Sequence, residues 1–202
     1  MILFIEGPRH SGKTFLINKF LEECNDPRIE YYKFYFANHI KTLGLTELDS
    51  DPSLHYFSLG NIMTIMEMNL RPEYKDKIWV FDRAIVSAYT WAILRGRLSQ
   101  DRADSEFSTL LSSELFANSK TLVVKVDGQT GDSNRTKDTW DGLHSTYDEL
   151  SVMEKFLELG HNQLANLDKS NQILTVTNDV NDESIKKFIS SCYELLGLEP
   201  NK

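Results

Sequence analysis

Apolar residues fall in two rhythms along this chain, and the two alternate. Short, nearly continuous apolar runs at 1–5, 29–36, 77–83, 121–127 and 172–178 read as buried strands. Between them apolar residues recur at spacings of three and four, the mark of an amphipathic helix. That spacing predicts helices starting at Phe15, over 53–69, 84–98, 104–117 and 143–167, and from Asp182 to Leu196. Strands alternating with helices predict an α/β fold: a five-stranded parallel sheet with helices on both faces, in three layers. The pattern shows no internal repeat and no linker, so residues 1–202 read as one domain.

Breakers refine this outline. Residues 41–52 look irregular, with Gly44, Asp49, Asp51 and Pro52. The stripe through Met63, Met66 and Met68 reads as packing on the sheet in preference to a pocket wall. Arg95 and Arg97 flank Gly96 at the end of the 84–98 helix, where they serve as caps or as substrate contacts. Asp182 is the expected cap of the last helix and Gly197 its stop. Segment 128–142 is long and polar, and follows a strand, so it is a candidate lid carrying Arg135 and Lys137.

Composition narrows the class. The chain is 41% hydrophobic and 26% charged, as in ordinary globular proteins. A formal charge of −8 disfavours a broad nucleic-acid-binding face, although a local basic cleft would escape this argument. No apolar run is long enough to span a membrane. The first run lacks a charged lead and stops at Glu6, so it reads as a core strand and not a signal peptide. Cys24 and Cys192, both in apolar helical patterns, read as buried thiols in a reducing cytoplasm.

Chemistry enters at the first strand-to-helix junction. Gly7, Arg9, His10, Ser11, Gly12, Lys13 and Thr14 lie within a Gly-x4-Gly-Lys-Thr phosphate loop. The glycines let the backbone turn tightly and bring its N–H groups to a polyphosphate. The following helix aims its positive end at the same anion. Lys13 then reaches the donor's outer phosphates, and the Thr14 hydroxyl ligates Mg²⁺. ATP and Mg²⁺ are the implied cofactors.

The third strand ends in Asp82-Arg83. A carboxylate there suits the metal or an acceptor hydroxyl, and Arg83 suits a phosphate; the bland alternative is a surface ion pair. Ser87, Tyr89 and Trp91 follow on the next helix, within expected reach of the pocket. His39, after the second strand, is a weaker candidate for orienting a substrate because nothing nearby completes a catalytic group.

The phosphate loop together with Phe81-Asp82-Arg83-Ala84-Ile85-Val86-Ser87-Ala88-Tyr89 resembles the thymidylate kinase and deoxynucleoside kinase group of P-loop kinases. The resemblance spans most of the chain and implies a catalytic set of Lys13, Asp82, Arg83 and a lid arginine, Arg135. It places Thr14 and Asp82 at the metal. Where the group usually carries an acidic residue after the second strand, this chain reads Ala37-Asn38-His39. That departure leaves the acceptor in question.

The leading expectation is an ATP-dependent kinase transferring the γ-phosphoryl group to a deoxynucleoside monophosphate, thymidylate or a relative. The runner-up phosphorylates a hydroxyl, in a deoxynucleoside or in a hydroxymethylated pyrimidine of DNA. A DNA acceptor would need a groove drawn from Arg71, Arg95, Arg97 and Arg102. A non-catalytic nucleotide switch is the third reading. A homodimer is left open, and no membrane partner is expected.

Overall fold

The computed structural model describes residues 1–33, 52–68, 70–113, 116, 119–126, 146–166 and 173–200. His39, the segment 128–142 and its Arg135 and Lys137 lie outside the described residues, as do the irregular stretch 41–51 and His144.

Five strands form one all-parallel sheet: β1 (Ile2–Glu6), β2 (Ile29–Lys33), β3 (Ile78–Asp82), β4 (Ser119–Lys125) and β5 (Ile173–Thr177), in the order β2-β3-β1-β4-β5. The helices are α1 (Lys13–Cys24), α2 (Pro52–Met68), α3 (Ile85–Leu94), α4 (Gln100–Leu111), α5 (Thr146–Asn166) and α6 (Asp182–Leu196). Central β1 is buried along its whole length because both of its faces are covered. Its alternation feeds two cores. Leu3 and Ile5 join Leu16, Phe20, Phe188 and Cys192 under α1 and α6. Ile2 and Phe4 join Ile62, Tyr89, Phe107 and Phe156 under α2–α5. This is the expected three-layer architecture.

Element ends depart from the sequence pattern where local hydrogen bonding decides. The helix expected over 84–98 stops at Leu94, since Gly96 takes φ 65° and the Arg97 and Leu98 N–H groups both turn back to Ala92 O. The next helix starts at Gln100, four residues before the expected Asp104, because Ser99 supplies an N-cap. Asn181, not Asp182, caps α6, in a reciprocal capping box with Ser184. Gly160 sits inside α5 without breaking it, and a Cβ there would meet Ile173 Cδ1 at 3.1 Å, so the glycine lets α5 approach β5. Of the α2 stripe, Leu54, Leu59, Ile62 and Met66 are buried and Met63 is partly buried against the core, whereas Phe57 is exposed and the Met68 side chain lies outside the described structure. Both cysteines are buried thiols, and no described helix is long and apolar enough to cross a membrane.

Candidate active site

Two neighbouring strands of the sheet, β1 and β3, end side by side, and each turns directly into a helix. The register pairs Ile5 with Asp82, so the phosphate loop and the Asp82-Arg83 turn share one edge.

The first turn needs its glycines. Gly7 has φ 147°, and a Cβ on it would lie 2.3 Å from the Val124 carbonyl oxygen. Gly12 has φ 79°, with Asn178 Nδ2 2.5 Å from where a Cβ would stand. His10 adopts φ 61°, a left-handed conformation that is costly without glycine. Asn178, just beyond β5, braces the loop by donating Nδ2 to Ser11 O at 2.8 Å. Gly12 is the N-cap of α1 and no side chain caps that terminus, so its positive end faces the loop.

Lys13 is 4% exposed and donates its Nζ to Pro8 O and, at 3.0 Å, to Ser11 Oγ. Burial pulls its pKa down to about 7; the Arg83 charge adds to this, while Asp82, Glu149 and Glu6 oppose it. An ammonium that shares its cavity with another cation is therefore primed for an anion.

In the second turn the Asp82 carboxylate accepts from the Thr14 hydroxyl at 2.5 Å and from the Tyr31 hydroxyl at 3.3 Å. Thr14 and Asp82 thus put two hard oxygen ligands together beside the phosphate loop, a set that fits Mg²⁺, which commonly takes one or two carboxylates plus phosphate oxygens. Arg83 has φ 72°, its backbone N–H bonded to Ile5 O at 3.0 Å. Its Nη1 is buried and has no hydrogen-bond partner among the described residues. A cavity of about 280 Å³ is lined by Lys13, Thr14, Lys33, Asp82, Arg83 and part of the loop. A second, of about 290 Å³, lies against His10, Phe15, Val126, Asn178, Val180 and Ile185.

Glu6 determines the shape of this second turn. It is fully buried at the end of β1, and its carboxylate accepts the backbone N–H groups of Ala84 (3.1 Å), Val86 (2.9 Å) and Ser87 (3.2 Å), plus the Ser87 hydroxyl. Burial pushes its pKa up, against the hydrogen bonds from Ser87 and the charges of Arg83 and Lys13.

The structure therefore gathers Gly7, His10, Ser11, Gly12, Lys13, Thr14, Asp82 and Arg83 at one edge. Arg9 adjoins them, with its guanidinium on Glu149 and 4.7 Å over the Trp91 ring. Three side chains expected at the pocket are placed otherwise. Ser87 binds Glu6, Tyr89 is fully buried against His55, Phe107 and Phe156, and Trp91 lies under Arg9 and Arg95. The helical phase after Asp82-Arg83 turns Tyr89 into the layer of α2, α4 and α5, whereas Ser87 is held at Glu6 and Trp91 lies against Arg9 of the phosphate loop. Arg97 is buried and Arg102 is ion-paired with Glu106, so neither presents an unengaged surface charge.

Sequence reasoning passed over Glu6, Tyr31, Lys33, Glu149 and Asn178. Glu6 had a usable signal, an acid directly after a strand buried on both faces. Lys33 and Tyr31 had another, since a strand beside β3 must end beside Asp82.

No protein-family model and no curated protein sequence matches the chain. The sheet order and the phosphate loop give a three-layer α/β P-loop fold, which solved structures share. NadR in complex with NR is similar at TM-score 0.60 and 11% identity, over 100% of this chain and 51% of NadR. NadR with NAD and AMP-PNP gives 0.58 and 13%, again over 100% and 51%, so the chain spans about half the length of that protein. Deoxyadenosine kinase from M. mycoides with bound dCTP gives 0.54 and 15%, over 96% of this chain and 99% of the kinase.

Proposed function

We propose that the protein is an ATP-dependent kinase that transfers the γ-phosphoryl group to a nucleoside monophosphate, thymidylate or a related deoxynucleotide. The observation that carries this reading is the Arg83 guanidinium in the 280 Å³ cavity: it lines that cavity beside Lys13 and Asp82, and among the described residues its buried Nη1 has no hydrogen-bond partner. A donor polyphosphate with its metal engages Lys13, Thr14 and Asp82. Arg83 remains for a second anionic group, and an acceptor phosphate supplies one.

Bound Mg²⁺ would neutralise charge on the transferring phosphates, held by Thr14 and Asp82. The chain's own part is positioning and charge. The loop N–H groups and the α1 terminus hold the donor phosphates, Lys13 follows charge onto the leaving group, and Arg83 fixes the acceptor in line. A phosphate acceptor is already anionic and needs no strong base, which suits a chain without the usual acid after β2. The apolar cavity between Phe15 and Val180 suits the donor base; both side chains are more than half exposed there, at 53% and 67%.

A hydroxyl-directed kinase is the second reading. The near full-length likeness to deoxyadenosine kinase favours it, with Asp82 accepting the hydroxyl proton. Labelled ATP with Mg²⁺ and a panel of deoxynucleoside monophosphates, deoxynucleosides, and normal and hydroxymethylated DNA separates these outcomes. Label in a diphosphate supports the first reading. Label in a nucleoside or in DNA replaces it with the second, and label nowhere favours a nucleotide switch.

A further inference from the structure

The phosphate loop is gripped from outside by a carboxylate that the proposed reaction does not use. Glu149 lies in the first turn of α5 with its side chain 1% exposed. Both of its oxygens engage one loop residue: Oε2 accepts the Arg9 backbone N–H at 2.6 Å, and Oε1 accepts Nε of the Arg9 guanidinium. The same guanidinium lies 4.7 Å over the Trp91 ring of α3. The outer turn of the loop is thus tied to α5 and α3, while Asn178 ties the inner turn through Ser11 O.

The residue after Arg9 is His10, at φ 61°. Such a conformation costs on the order of 1–3 kcal/mol and persists only where surrounding contacts over-determine it. Glu149 supplies such contacts at the preceding residue, one hydrogen bond from the Arg9 N–H and one from its guanidinium, on a carboxylate sheltered from water. A loop held in this shape before the nucleotide arrives loses less freedom on binding. For Arg9 to reach a phosphate directly, it would have to leave a buried carboxylate without its partner, a costly exchange.

We propose that Glu149 is a positioning residue for the donor nucleotide: it clasps Arg9, presets the phosphate loop, and makes Arg9 an anchor of the loop and not a phosphate ligand. This rests on the reading that the loop binds a nucleotide.

Titration calorimetry with Mg²⁺·ADP and a non-hydrolysable ATP analogue tests it on the wild type, Glu149→Ala, Arg9→Ala and the double variant. Each single change should weaken binding about tenfold, the scale of a lost charged hydrogen bond. The double variant should bind no more weakly than Glu149→Ala, because Arg9→Ala removes only the guanidinium half of a clasp that Glu149→Ala removes whole. In turnover assays KM for ATP should rise while KM for the acceptor holds, a split that general loosening of the fold would not give. If melting curves show Glu149→Ala unfolded, Glu149→Gln and Arg9→Lys carry the same cycle. Unchanged or tighter binding in Glu149→Ala, or additive losses in the double variant, would overturn the inference while leaving nucleotide binding intact. Wild-type protein that binds no nucleotide would overturn the inference and the reading beneath it together.

Discussion

Two adjacent strands of this sheet each end in a tight turn and a helix, and the two helix termini are treated in opposite ways. At α1 the N-cap is Gly12, without a side-chain cap, and the positive end faces a cavity lined by Lys13. At α3 the comparable N–H groups are taken by the Glu6 carboxylate, from a neighbouring strand. One terminus is kept for a ligand anion, and the other is closed by an anion of the protein. Both uses follow from the same partial charge, but the consequences differ. The uncapped terminus is the one to which the proposed function assigns the donor phosphates, while the closed one holds Arg83 at its unusual φ of 72°. In that proposal, binding and aiming are divided between two copies of one local motif.

Breaking the binding terminus should have the largest effect. Lys13→Ala is expected to lower the transfer rate by about 100-fold or more, the scale seen when a preorganised donor to a reacting phosphate is removed. Single-turnover rates with saturating acceptor measure it. Activity within a few-fold of wild type would show that the charge of the loop does not carry catalysis.

Arg83→Ala tests the second turn with its cap intact. The loss should fall on the acceptor, with its KM up by about tenfold and the Kd for ATP within about twofold, since Arg83 is assigned to the acceptor phosphate. Equal losses for both substrates would contradict that division of labour.

Removing the internal anion should cost stability first. Glu6→Ala leaves three backbone N–H groups of a buried helix start without their acceptor, and is expected to cost about 2–3 kcal/mol. For a domain of this size that is a fall of about 5–10 °C in Tm. Ser87→Ala sharpens the comparison, because it keeps the carboxylate and deletes only one hydroxyl bond; about 1 kcal/mol is expected. If Glu6→Ala melts no lower than Ser87→Ala, Glu6 is not the cap that the geometry describes.

The same contrast explains how much the sequence reveals. The binding turn was legible because its chemistry lies within eight consecutive residues, from Gly7 to Thr14, and local spacing implies local function. The closing of the other turn was not, since Glu6 and Ser87 are 81 residues apart and meet only through strand order. Tyr31 at Asp82 and Glu149 at Arg9 were missed for the same reason, being 51 and 140 residues from their partners. The five strands were legible from apolar runs, whereas the helix start set by Ser99 lay four residues before the expected Asp104, and the last helix began where expected but with Asn181 in place of Asp182 as its cap. The readings placed on Arg135 and Lys137 concern residues outside the described structure.

The smallest effect separates binding from stability within one side chain. Lys13 has its pKa drawn from 10.5 down to about 7 by burial first and by Arg83 next. The unfolded chain therefore holds a proton that the folded chain releases across that window. Stability should rise with pH between about 7 and 10.5 from this group, by at most about 1.4 kcal/mol per pH unit. Nucleotide binding needs the ammonium, so affinity should move the other way, falling about tenfold between pH 6 and 8. Calorimetric Kd values for Mg²⁺·ADP and denaturant midpoints, taken over the same pH series, should diverge in the wild type. They should lose that divergence in Lys13→Met, which fills the space without a charge. Midpoints and affinities that both stay flat over that pH series would mean that Lys13 keeps its proton in the folded chain, and that the loop's charge is fixed before any ligand arrives.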